Sequence, residues 1–137
     1  MGIAFAPGGE IAYLMHASGG TVTKVNAVTH QVVATIQVST ESYLGDIVVS
    51  PDGRFFYTAN GLGQFSVVDT GTNAVVAHVP VGGRELAITP DGKFVYAIPL
   101  VRGFAVIDTS TNAAAVIDVR LGDPRAIVIR QRPPTDQ

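Results

Sequence analysis

The 137 residues are 47% hydrophobic and 15% charged, with a net charge of −2. That balance can bury a sizeable core, and it leaves no basic stripe to follow a phosphate backbone, which argues against nucleic acid as a partner. The absence of cysteine removes disulfides, thiolate metal sites and cysteine nucleophiles together. No apolar run reaches the length of a membrane span, so membrane insertion is not expected, and residues 1–7 lack the basic segment followed by an apolar stretch that marks a signal peptide.

Taken in chain order, a first strand is expected over 3–6, followed by a Pro7-Gly8-Gly9 turn and a second strand through Tyr13 that ends at His16. Thr23-Lys24-Val25-Asn26 leads into a turn that holds His30. The connection from Val38 to Pro51 is long and carries Glu41 and Tyr43 before a strand over 46–50. Pro51-Asp52-Gly53 suits a type I turn, with proline presetting φ, aspartate following it and glycine at the position of positive φ. Strands over 55–59, 65–68 and 74–79 come next, with Asn60-Gly61 opening one hairpin and Asp69-Thr70-Gly71-Thr72-Asn73 the other. A shorter connection from Val81 to Pro90 holds Arg84 and Glu85, and strands over 85–89, 94–98, 104–107 and 113–119 follow, with Arg102 between the middle two. The last strand is expected over 126–130, just after Arg125, and 131–137 reads as a polar tail. These runs are rich in β-branched and aromatic residues and more continuously apolar than a one-sided sheet, so each sheet should be covered on both faces. No sustained helical period occurs, and the chain reads as all-β.

An internal repeat organises these strands. Pro51-Asp52-Gly53-Arg54-Phe55-Phe56-Tyr57 returns 39 positions later as Pro90-Asp91-Gly92-Lys93-Phe94-Val95-Tyr96, and a worn copy, Pro7-Gly8-Gly9-Glu10-Ile11-Ala12-Tyr13, lies 44 positions before it. Asp69-Thr70-Gly71-Thr72-Asn73 likewise matches Asp108-Thr109-Ser110-Thr111-Asn112. The paired motifs resemble the YVTN-type β-propeller repeats of bacterial and archaeal surface or periplasmic proteins; lactonase-like propellers are similar in their strands. The resemblance implies a partial β-propeller of three four-stranded antiparallel blades plus one extra C-terminal strand. The blades fall at about 3–38, 46–80 and 85–120 within a repeat region of 1–130. It also implies a periplasmic or extracellular protein. Propellers close with about four to eight blades, so three leave apolar faces that self-association or further blades of a larger ring would cover.

Function is sought where the copies differ, at the end of the blades that gathers the fourth-to-first and second-to-third strand connections. Arg84 and Arg125 occupy equivalent places near the mouth of the central channel, with Gly45 at that place in the middle repeat. Together with Arg102 they would attract a small acidic ligand or the carboxylates of a partner protein. Glu85 adjoins Arg84, His16 faces the same end, and Glu41 and Tyr43 supply the uneven loop. Each of these also has an ordinary reading as a solvated side chain. The three histidines show no zinc or catalytic spacing, no metal site or cofactor is expected, and no two carboxylates are brought together by the repeat as an acid/base pair. The residues favour a non-enzymatic binding or protein-interaction scaffold that forms the C-terminal part of a larger ring. The alternative is a piece of a propeller enzyme, lactonase-like or periplasmic dehydrogenase-like, with its active site at the channel mouth.

Overall fold

The computed structural model describes residues 2–16, 19–39, 44–60, 64–81, 84–98 and 103–117. Twelve strands form among them, and no helix: β1 (Gly2–Phe5), β2 (Ile11–Met15), β3 (Thr21–Asn26), β4 (Gln31–Gln37), β5 (Leu44–Val49), β6 (Phe55–Asn60), β7 (Gln64–Asp69), β8 (Ala74–Val79), β9 (Glu85–Ile88), β10 (Phe94–Ile98), β11 (Phe104–Asp108) and β12 (Ala113–Ile117). They make three four-stranded antiparallel sheets, β1–β4, β5–β8 and β9–β12, each ordered as a simple meander. The fold is therefore all-β and consists of three propeller blades. The strand expected over 126–130 and the tail over 131–137 lie outside the described residues.

The turn chemistry follows the motifs. Gly53 N donates to Ser50 O and Gly92 N to Thr89 O, each at 2.8 Å, and both glycines hold φ at +75°, a conformation that only glycine adopts without a steric cost. Asp52 Oδ1 accepts from Ser50 Oγ (2.6 Å) and Arg54 N (3.0 Å); Asp91 Oδ1 accepts from Thr89 Oγ1 (2.7 Å) and Lys93 N (3.0 Å). At the other turn, Asp69 Oδ1 accepts from Gly71 N and Thr72 N, while Asn73 takes the left-handed conformation at φ 59°. Asn112 (60°) and His30 (64°) do the same in their own blades. Asn73 and Asn112 thus tolerate positive φ, and the side-chain bond to backbone comes from Asp69 and Asp108, and from Asn26 in blade 1.

Side chains alternate between the two faces of each sheet, so the middle blade contributes to both seams. Ile47, Phe56 and Val68 pack with Tyr13, Met15, Val22, Ile36 and Val38 of blade 1. Tyr57, Ala59, Phe65, Val67 and Val79 pack with Leu86, Val95, Ala97, Ala105 and Ile107 of blade 3. The rings of Tyr13 and Phe56 meet with centroids 4.7 Å apart. At the strand starts, β5 begins at Leu44, ahead of the expected 46, because Gly45 is bulged out of the ladder with β6. A Cβ at Gly45 would lie 3.0 Å from Arg84 O, so glycine here lets the start of blade 3 come close to blade 2.

One polar contact of the seam between blades 1 and 2 comes from a lysine. Lys24 Nζ crosses from blade 1 to donate to Thr70 O (2.9 Å) and Asn73 Oδ1 (3.1 Å), and lies 5.9 Å from the Tyr13 ring centroid. Strand pairing puts Val67 at the matching place in blade 2, and the counterpart oxygen, Asn112 Oδ1, is buried without a hydrogen-bond partner among the described residues. Substituting Lys24→Met keeps most of the stem but strands two acceptors. A loss of about 1–3 kcal/mol in urea unfolding is expected.

Candidate functional site

The inner strands β1, β5 and β9 start at one end of the sheets, where β2, β6 and β10 finish. Asp46, near the start of β5, spans the seam there. Its Oδ1 accepts from Ile47 N and its Oδ2 from Leu86 N of blade 3, both at 2.8 Å. Gly2, with no carboxylate to offer, holds the corresponding register position in β1, and Glu85 holds it in β9.

Of the residues singled out from the sequence, His16, Arg84 and Glu85 are described, while Glu41, Tyr43, Arg102 and Arg125 lie outside the described residues. Arg84 and Glu85 are exposed where β9 begins, with Arg84 N donating to Ile98 O at 2.8 Å. His16 is also exposed and follows β2 at the same end of the sheets, but in blade 1, with blade 2 intervening. Its Nε2 and Thr23 Oγ1 are hydrogen-bonded at 2.6 Å. The structure thus brings Arg84 and Glu85 together and leaves His16 apart from them.

A buried polar chain in blade 2 was not anticipated. Thr58, Asn60 and Ser66 have no solvent exposure. Thr58 Oγ1 donates to Asn60 Oδ1 (3.1 Å), Asn60 Nδ2 to Ser66 Oγ (2.8 Å), and Ser66 Oγ to Val38 O of blade 1 (2.9 Å). His78 Nδ1 lies 3.2 Å from the same Ser66 oxygen. Buried polar groups persist only when partnered, and here every link is made. The blade 3 register replaces Thr58 by Ala97 and Ser66 by Ala105, a difference already legible in the repeat. Beside this chain a cavity of about 310 Å³ is lined by Gln37, Val38, Ser39, Gln64, Val75 and His78.

At the opposite, turn end of the blades, Asp52 and Asp91 line one cleft of about 330 Å³ with Ser50, Tyr57 and Thr109. Adjacent copies of one turn stand side by side here. Both acids are turn anchors. Hydrogen bonds from Ser50 and then Arg54 N hold Asp52 below the ordinary carboxylate value of 3.8; Lys93 N and then Thr89 do so for Asp91, and Ser110 does so for Asp108. A pKa depressed by folding adds stability that is complete above the unfolded value and is lost as pH falls through the folded one. These three groups are therefore expected to leave the unfolding midpoint flat from neutrality down to about pH 4 and to lower it modestly on further acidification, the modest size reflecting their exposure to solvent. Scanning calorimetry across that range checks it.

Residues 2–99 match the sequence profile of the family described as lactonase, 7-bladed beta-propeller. Among solved structures, the chain is similar to the hydrazine synthase of Kuenenia stuttgartiensis, with a TM-score of 0.77 and 28% identity over 83% of this chain and 34% of that one. It is also similar to a putative 6-phosphogluconolactonase from Bacteroides fragilis, with a TM-score of 0.73 and 25% identity over 85% of this chain and 37% of that one. The chain thus spans little more than a third of the solved structures it matches. No curated protein matches it.

Proposed function

The chain belongs to the lactonase family of seven-bladed β-propellers, and on that premise we propose that its three blades serve as a binding scaffold that recognises partners at the end where the inner strands begin. The observation that carries this reading is the engagement of Asp46. Both of its oxygens accept backbone amides, so the acid has a structural task, bracing adjoining blades. Arg84, exposed at the same end, offers a guanidinium to the carboxylate or phosphate of a small acidic ligand or a partner protein. The paired Pro-Asp-Gly and Asp-Thr-x-Thr-Asn motifs support placing the repeats in the YVTN type, with a surface or periplasmic setting. In this reading the ring is closed by further blades.

A second reading is hydrolysis of a sugar lactone, favoured by the family match and by the likeness to the Bacteroides fragilis structure. Calorimetric titration with 6-phosphogluconate, together with a hydrolysis assay on its lactone, separates the two. Binding without turnover that is lost in Arg84→Ala supports the scaffold; turnover above the spontaneous rate supports the lactonase. If the chain neither binds the acid nor opens the lactone, both readings fall.

A further inference from the structure

We infer that the seam between blades 1 and 2 holds a separate binding site, for a neutral polyhydroxylated ligand of the carbohydrate class, in which His78 presents Nε2 as a fixed hydrogen-bond acceptor. The inference rests on the buried chain and its cavity, not on the reading of Arg84.

Counting hydrogens around Ser66 assigns the imidazole tautomer. A serine hydroxyl has one proton and two lone pairs. The proton goes to Val38 O, and one lone pair accepts from Asn60 Nδ2. Turning the Asn60 amide over would set its Oδ1 against Ser66 Oγ, whose one proton is already given to Val38 O. What remains for His78 Nδ1, 3.2 Å away, is the second lone pair, so Nδ1 must carry the proton. In the neutral ring Nε2 is then bare. The same logic orients ligating histidines in metal sites, where a partner on one nitrogen fixes what the other can do.

The cavity next to this ring has the size at which small-ligand sites begin, about 300 Å³, and its described lining carries no charged side chain. Gln37 commits both hydrogens of Nε2, to Gly19 O and to Ser39 O at 2.7 Å each, which leaves Oε1 as the atom it offers. His78 Nε2 and Gln37 Oε1 are both acceptors, matched to a ligand rich in hydroxyl donors. The Gln64 amide supplies donor and acceptor, and the half-buried Val75 supplies apolar surface for a C–H face. Polar rims around a small apolar floor suit a sugar better than an ion. The other blades do not repeat the device. The cross-strand pair Ser66–His78 is Thr23–Thr35 in blade 1 and Ala105–Val116 in blade 3.

The test is nitrogen-15 NMR of the histidine side chains in the full chain, first alone and then titrated with D-glucose, D-galactose and myo-inositol. The expected result is the Nδ1–H tautomer at His78, then a saturable millimolar shift of its Nε2 and of the Gln64 side-chain amide with at least one probe. The Gln64 shift should vanish in His78→Phe, a solvent-exposed position, and persist in Arg84→Ala, which separates it from binding at the inner-strand end. An Nε2–H tautomer overturns the inference, as does the absence of a saturable shift with all three probes.

Discussion

Ser66→Ala is expected to lower the free energy of unfolding by about 2–4 kcal/mol, because the hydroxyl is the node at which the Asn60 and His78 side chains and the Val38 carbonyl meet. Its removal strands Val38 O on blade 1 and one hydrogen of Asn60 on blade 2, both inside the seam. No cavity of consequence forms, so nearly all of the loss is the desolvation of unpaired groups. The matched control is the reverse substitution one repeat later. Ala105 sits at the same register position and is as deeply buried, but it faces Tyr57, Phe65 and their neighbours. Ala105→Ser therefore introduces a hydroxyl among apolar side chains and is expected to destabilise by about 1–3 kcal/mol. Urea unfolding of both variants checks the pair. A near-neutral Ser66→Ala would mean that water reaches the seam and replaces the lost bonds.

The repeat made the architecture readable for a physical reason. Turn positions that need proline, a short acid and a residue at positive φ admit few substitutions, so Pro51-Asp52-Gly53 and Pro90-Asp91-Gly92 survive as visible copies. Strand faces were legible in the same way, since the apolar runs had to be covered on both sides. The start of β5 was misplaced because nothing local marks the Gly45 bulge; it exists to let the Arg84 backbone pass. The candidate site was harder, because its residues act across seams. Asn60 reads locally as the residue that opens a turn, yet it is the last residue of β6 and fully buried. Lys24 reads as a surface cation, yet its ammonium bridges two blades. The available signal was disagreement between copies: Thr58 and Ser66 against Ala97 and Ala105, and Lys24 against Val67. The register of the repeat alone placed Arg84 and Glu85 where the inner strand of blade 3 begins.

Tyr57→Ala is expected to cost about 3–5 kcal/mol, the range for truncating a buried aromatic side chain, while Tyr96→Ala one blade later should cost about 1 kcal/mol or less in a monomer. The two tyrosines hold the same place in consecutive repeats, as do Phe65 and Phe104. Blade 3 covers Tyr57 and Phe65 to 2% and 0% exposure, and burial pushes the Tyr57 phenol above its ordinary 10.0. Tyr96, stacked on Phe104 with centroids 6.0 Å apart, is 44% exposed. Exposed aromatic pairs of this kind mark surfaces that another element covers, and the seam between blades 2 and 3 shows what such a cover looks like. The difference between the two substitutions therefore measures whether that face is covered in solution. If the chain is monomeric, the gap of several kcal/mol holds at every protein concentration. If copies associate through blade 3, the cost of Tyr96→Ala rises toward that of Tyr57→Ala, and the unfolding midpoint becomes concentration-dependent. Denaturation at two protein concentrations distinguishes these outcomes. A high cost that does not vary with concentration would place the cover within the chain itself.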